Sequence, residues 1–225
     1  MEQQRNCYVF VYNGYADWEP ALARYGLHHF SDFAVTTFSN NGAPVRSGSN
    51  LSMAPYTFLD ALHPGAIDLL ILPGGTALRQ NDPALHGILP LLRYMAQQHK
   101  PLAALCGAAA LPVHSSMPDQ VKHTGNALPH LPMATPEYQA DHLYGKGRGA
   151  GNRNVITAGG TLPAAFAESS FHHFNLPEHH DFRFWFGCFQ AAGAPRLEAA
   201  APFHFFHRRF SVTRQEMPAL IREMP

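Results

Sequence analysis

Leu102-Ala103-Ala104-Leu105-Cys106-Gly107-Ala108-Ala109 is the stretch on which the reading of this chain turns. Four apolar residues in a row suit a strand covered on both faces, and the small residues that follow suit a helix. Between them stands a sulfur nucleophile with alanine two positions before and two after. A nucleophile on a sharp strand-to-helix turn tolerates only tiny neighbours, so this is the steric signature of a nucleophile elbow. The same place puts Cys106 at a helix N-terminus, where free N–H groups and the macrodipole favour thiolate. The plainer reading is a cysteine used as a small buried hydrophobe.

Working outward, strands and helices alternate. Cys7 to Tyr12 is a continuous apolar run closed by Asn13-Gly14, and Asp17 is placed to cap a helix with Pro20 in its first turn and Leu22, Tyr25, Gly26 and Phe30 at helical spacing. Phe33 to Ser39 reads as a second strand, and Pro44 to Met53 as a hairpin insert around Gly48. Ile67 to Leu72 is a further buried strand running into Pro73-Gly74-Gly75. Asp82-Pro83 opens a helix reaching toward Lys100, kinked at Pro90. The helix after the elbow runs from Gly107 to about His114, with Pro112 an oddity inside it. Asn154 to Ala158 is a strand, Gly159-Gly160-Thr161 a turn and cap, and Pro163 to Phe174 a helix. Asp119 to Gly151, rich in Pro, Gly and His, reads as loop, including the glycine-dense Gly145 to Gly151. Asp181 to Ala192 is a last, very aromatic helix, and residues 195–225 read as an extension to a domain covering 1–194. Such alternation predicts a flavodoxin-like three-layer α/β sandwich with a mostly parallel central sheet.

In that architecture sites form just beyond the carboxyl ends of strands. Four places qualify: Asp17-Trp18-Glu19, Pro73-Gly74-Gly75-Thr76, the Cys106 elbow, and Lys122-His123-Thr124-Gly125-Asn126. The glycines of the second let backbone N–H groups approach a developing negative charge.

These motifs, with Val155-Ile156-Thr157-Ala158-Gly159-Gly160-Thr161, stand in an order that resembles the ThiJ/PfpI superfamily of class I glutamine amidotransferase-like proteins over about residues 7–190. The resemblance implies Cys106 as nucleophile and Glu19 as the carboxyl group touching its sulfur. It implies oxyanion or substrate contacts from Gly74, Gly75 and Gly107, and His123 as a nearby imidazole. The chain departs from the pattern in two places. Members that look like proteases or amidases carry histidine directly after the cysteine, where this chain has Gly107, and amidotransferases carry a His-x-Glu pair where it has Gly160-Thr161-Leu162-Pro163. That leaves His123 as the histidine a motif sets near the thiol.

Glu19 in a first helical turn can be no more than a favourable charge on the dipole. Buried beside a sulfur, it would instead be protonated by desolvation and donate to a thiolate. His123 is open between a base and a structural loop histidine. The 15 histidines, His172-His173 and His179-His180 among them, lack a second pair at ligand spacing, so no metal is expected and a solvated surface is. Cys7 and Cys188 lie in apolar runs and read as inert core. Trp185 and its phenylalanine neighbours read as core or dimer surface, and Phe203, Phe206 and Phe210 as packing aromatics.

The chain has 225 residues, 46% hydrophobic and 14% charged, with 16 basic residues balancing 16 acidic ones, so it offers no net field to hold nucleic acid or an anionic membrane. Three widely spaced cysteines argue against a disulfide framework. Its first strand is too short for a signal or membrane segment, which points to the cytoplasm. No cofactor is expected. The elbow, the glycine loop and the resemblance imply a cysteine-dependent enzyme of the hydrolase or lyase type acting on a small carbonyl or amide substrate, and the resemblance with the aromatic density of Asp181 to Phe189 suggests a homodimer. The alternatives are a redox-sensing or stress-protective protein that oxidises Cys106, or a chaperone-like role.

Overall fold

Three four-residue runs, Leu69–Leu72, Leu102–Leu105 and Val155–Ala158, are buried at every position, which suits interior strands with both faces covered. They make the middle of the sheet in the computed structural model, which describes residues 4–79, 82–111, 122–126, 140–145, 149–152 and 154–174, with 182, 185–187 and 189 beyond. In chain order the elements are β1 (Arg5–Phe10), α1 (Ala21–Phe30), β2 (Phe33–Ser39), β3 (Val45–Arg46), β4 (Ser52–Met53) and β5 (Thr57–Phe58). There follow β6 (Leu69–Leu72), α2 (Thr76–Arg79), α3 (Leu89–Gln97), β7 (Leu102–Leu105), β8 (Gly149–Asn152), β9 (Val155–Ala158) and α4 (Pro163–His173). The sheet order is β5-β2-β1-β6-β7-β9-β8, parallel except for β8, and β3 and β4 pair apart from it as the expected hairpin insert.

The chain therefore turns one way from β1 to β2 and the other way from β6 to β7. Right-handed crossovers in opposite directions set α1 and α3 on opposite faces, giving the flavodoxin-like three-layer sandwich. On one face α1 meets α4 closely, because Gly26 has no side chain where Phe171 lays its ring: a Cβ there would stand 2.1 Å from the ring's Cζ. Trp185 stacks on Tyr25 at 5.0 Å between centroids, and the buried Phe186 packs against Phe171 and the partly buried Phe182, so this late aromatic segment covers the α1–α4 layer. On the other face α3 buries Leu91, Leu92 and Met95.

Several local expectations are corrected. Asp17 does not cap α1. The helix starts at Ala21 behind Pro20 with no side-chain cap, and Asp17 accepts instead from the Ser49 hydroxyl at 2.6 Å and the Ser49 N–H at 3.3 Å. Pro90 makes no kink within a long helix. Pro83–Ile88 is a 3₁₀ segment and Pro90 falls in the first turn of α3, where its missing N–H is one of the helix's orphan donors anyway. The elbow continues as a 3₁₀ turn, Cys106–Ala110, into Leu111, and the predicted remainder with Pro112 and His114 lies outside the described residues. Leu162, not Thr161, stands at the N-cap of α4, without a side-chain bond. Gly149 to Gly151, expected as loop, fall in the antiparallel edge strand β8, because β9 supplies a ladder that glycines can join without a side-chain pattern of their own. Cys188, His179-His180 and the extension 195–225 lie outside the described residues.

Candidate active site around Cys106

Four loops meet at the carboxyl ends of β1, β6, β7 and β9. At the third, the backbone turns from an extended Leu105 into a left-handed Cys106 with φ +55°. A non-glycine residue in that region costs roughly 1–3 kcal/mol and persists only where its surroundings hold it there. The half-buried thiol is thereby lifted off the strand end toward the neighbouring loops.

Two glycines make room for it. A Cβ on Gly74 would stand 2.6 Å from the Cys106 Cβ, 3.1 Å from its Sγ and 3.0 Å from Glu19 Oε2. On Gly160 it would stand 2.2 Å from Glu19 Oε1 and 3.1 Å from the Cys106 Cβ. Sulfur and carboxyl thus border one small chamber whose walls must be glycine. Glu19 is only 1% exposed, so it is far more enclosed than a helix-dipole charge needs to be. Its Oε2 accepts from the Gly74 N–H at 2.6 Å, and the same peptide's carbonyl, Pro73 O, accepts from the Tyr12 hydroxyl at 2.8 Å. Burial pushes the Tyr12 phenol well above its ordinary range, and the nearby Glu19 and Cys106 charges push the same way. The Gly74 N–H is thus engaged with Glu19. Gly75 bridges Tyr15 through bonds made by the flanking N–H groups of Ala16 and Thr76, so the bridge does not use its own N–H.

The loop Lys122–Asn126 is stitched to β9 by the Thr124 N–H on Thr157 Oγ1 at 2.8 Å. His123 is fully buried, its backbone paired with Tyr144 and its ring edge-on to the Tyr144 ring at 6.1 Å. From the same loop the Asn126 side chain reaches the sulfur: its Nδ2 lies 2.9 Å from Cys106 Sγ, and its Oδ1 accepts from the Gly160 N–H at 2.6 Å. The Gly160 carbonyl in turn accepts from the Trp18 indole at 3.1 Å. Asn126, Gly160 and Trp18 stand within motifs of the sequence, but their residue types alone do not mark them as neighbours of the sulfur. A search for proton acceptors passes over an amide, and the signal available was only that Asn126 closes the same motif as His123. Among the described residues no group of three or more His, Cys, Asp and Glu could hold a metal ion, and no helix is long and apolar enough to cross a membrane.

A doubly wound sheet with a cysteine on an elbow after a central strand defines the class of this protein. The chain belongs to the DJ-1/PfpI family, whose family model matches residues 5–172. It is similar to a Bacillus subtilis protein named as an uncharacterized protease, YoaZ, at 30% identity over 175 residues, 73% of this chain and 81% of the relative. Among solved structures it resembles the DJ-1 superfamily protein Atu0886 of Agrobacterium tumefaciens, with a TM-score of 0.74 and 26% identity over 83% of this chain and 98% of that one. A thiJ/pfpI family protein of Bacillus anthracis gives a TM-score of 0.73 and 26% identity over 84% of this chain and 92% of the other.

Proposed function

We propose that the protein is a cysteine-dependent enzyme of the hydrolase or lyase type that acts on a small carbonyl or amide substrate through Cys106. The observation that carries this is the left-handed, half-buried Cys106 facing a buried Glu19 across two glycines. The thiolate attacks the carbonyl carbon, a C–S bond forms, and the electron pair of the C=O moves onto oxygen, where the N–H groups of Gly75 and Gly107 receive it. Because Oε2 of Glu19 is taken by the Gly74 N–H, Oε1 is the oxygen that carries or takes a proton. With an amide, collapse of the adduct breaks the C–N bond, the leaving amine takes a proton from Glu19 or His123, and water releases the acyl group from sulfur. With an aldehyde or ketone, the proton goes to the new alkoxide. The name given to the Bacillus subtilis relative supports a hydrolase type.

The half-buried sulfur on a strained turn also favours a second reading, a redox sensor in which the thiolate gives up four electrons to two equivalents of peroxide and becomes a sulfinate. A panel of dicarbonyl, amide and ester substrates with the wild type and Cys106→Ser, read beside mass spectrometry of Cys106 after mild peroxide, tests the choice. Turnover lost in Cys106→Ser supports the enzyme. No turnover on any substrate, with clean conversion of Cys106 to the sulfinic form, replaces it with the sensor.

A further inference from the structure

The Asn126 amide has one possible orientation. The Gly160 N–H can only donate, so the group 2.6 Å from it must be the amide oxygen, and the NH₂ must then face Cys106 Sγ at 2.9 Å. Gly160 is itself fixed. Its carbonyl holds the Trp18 indole, and its missing side chain is where Glu19 Oε1 lies. Behind Asn126, the Gly125 carbonyl accepts from the Tyr144 hydroxyl at 3.2 Å, and Thr124 is tied to β9. The donor is therefore aimed at the sulfur by contacts on both sides of it.

We propose that Asn126 is a catalytic residue of this site: its side-chain amide, locked by Gly160, is the donor that stabilises the Cys106 thiolate. The assignment rests on Cys106 being the nucleophile. An N–H donor binds the charged sulfur more strongly than the neutral thiol, so it shifts the balance toward thiolate. An amide does this at every working pH, whereas an imidazole in the same place changes its own charge near neutrality. The amide also cannot accept a proton. Asn126 accordingly readies the nucleophile and leaves proton transfer to other groups of the site.

The test is the pH dependence of Cys106 alkylation by iodoacetamide in the full chain, followed by peptide mapping, for the wild type, Asn126→Ala and Asn126→Asp. Asparagine to aspartate keeps the size and the acceptor for the Gly160 N–H, so that variant holds the fold while replacing the donor with an anion. Losing a hydrogen bond to a charged group is expected to lower the rate below the midpoint by about tenfold in Asn126→Ala and further in Asn126→Asp. The midpoint should move up in both, and the rate on the alkaline plateau should stay near that of the wild type. Variant profiles that overlay the wild type overturn the proposal while leaving Cys106 as nucleophile. Shifted midpoints in a protein that turns over no substrate keep Asn126 as the donor to the thiolate but overturn its catalytic role together with the enzyme reading. A wild-type midpoint as high as that of an ordinary thiol overturns both.

Discussion

Gly74 and Glu19 are joined by a 2.6 Å hydrogen bond from backbone N–H to carboxyl oxygen, which ties the loop after β6 to the loop after β1 at this site. A glutamine can take the same bond through its carbonyl oxygen but cannot take up a proton. Glu19→Gln should therefore keep the fold and Cys106 alkylation while lowering turnover by about 10²–10⁴, the usual worth of a positioned acid or base. Turnover equal to the wild type would assign the proton to another group.

The other end of that peptide depends on Tyr12. Tyr12→Phe leaves the buried Pro73 carbonyl without its partner, a loss of about 1–3 kcal/mol, or several degrees in Tm for a domain of this size. The phenol also sets a pH dependence. It stays neutral in the folded protein well above 10, whereas in the unfolded chain it ionises near 10, so the unfolded state holds fewer protons there and stability falls as pH rises past about 10. Unfolding curves at pH 8 and above 10 should show a smaller alkaline loss in Tyr12→Phe than in the wild type.

Gly26→Ala puts a methyl group 2.1 Å from the Phe171 ring. Helix propensity gains up to about 1 kcal/mol, but overpacking at a buried contact typically costs about 1–3 kcal/mol, so the net effect is destabilising. In the double variant with Phe171→Leu the penalty should shrink. Additive losses in denaturant titrations of the two single variants and the double variant would mean that the two positions do not press on each other.

Cys7 and Cys106 should separate cleanly. Cys7 is fully buried in β1, and burial pushes its thiol far above the ordinary range, with the Arg24 charge offsetting only part of the effect. Alkylation of the folded protein should modify Cys106 while Cys7 waits for denaturant. Early labelling of Cys7 in peptide maps would count against the elbow as the reactive site.

Most of the sheet could be read directly, because Leu69–Leu72, Leu102–Leu105 and Val155–Ala158 show the continuous apolar runs that interior strands require. The residues to inspect followed, since chemistry gathers beyond the ends of such strands. What escaped depended on partners that the residue types by themselves do not announce. β8 exists because β9 offers it a ladder, Asp17 was drawn from its helix by Ser49, and the Asn126 amide gains its role only where Gly160 and Cys106 converge on it. Asn126 stands three residues after His123 in one motif, and only the path of the loop brings its amide to the sulfur.

The pairings of Leu72 with Ala104 and of Leu105 with Ala158 make the site a gauge of sheet alignment. Glu19, Gly74, Cys106 and Gly160 each hang from the end of a different strand, so no single loop can assemble the chamber. Sliding β7 by one residue against its neighbours would move the sulfur about 3.3 Å and send the strand's side chains to opposite faces. A chain that collapses with correct helices but shifted strands would keep its far-ultraviolet spectrum and lose its fast thiol. The rate at which Cys106 takes up an alkylating reagent thus reports, during refolding, the moment at which four strands have come into line.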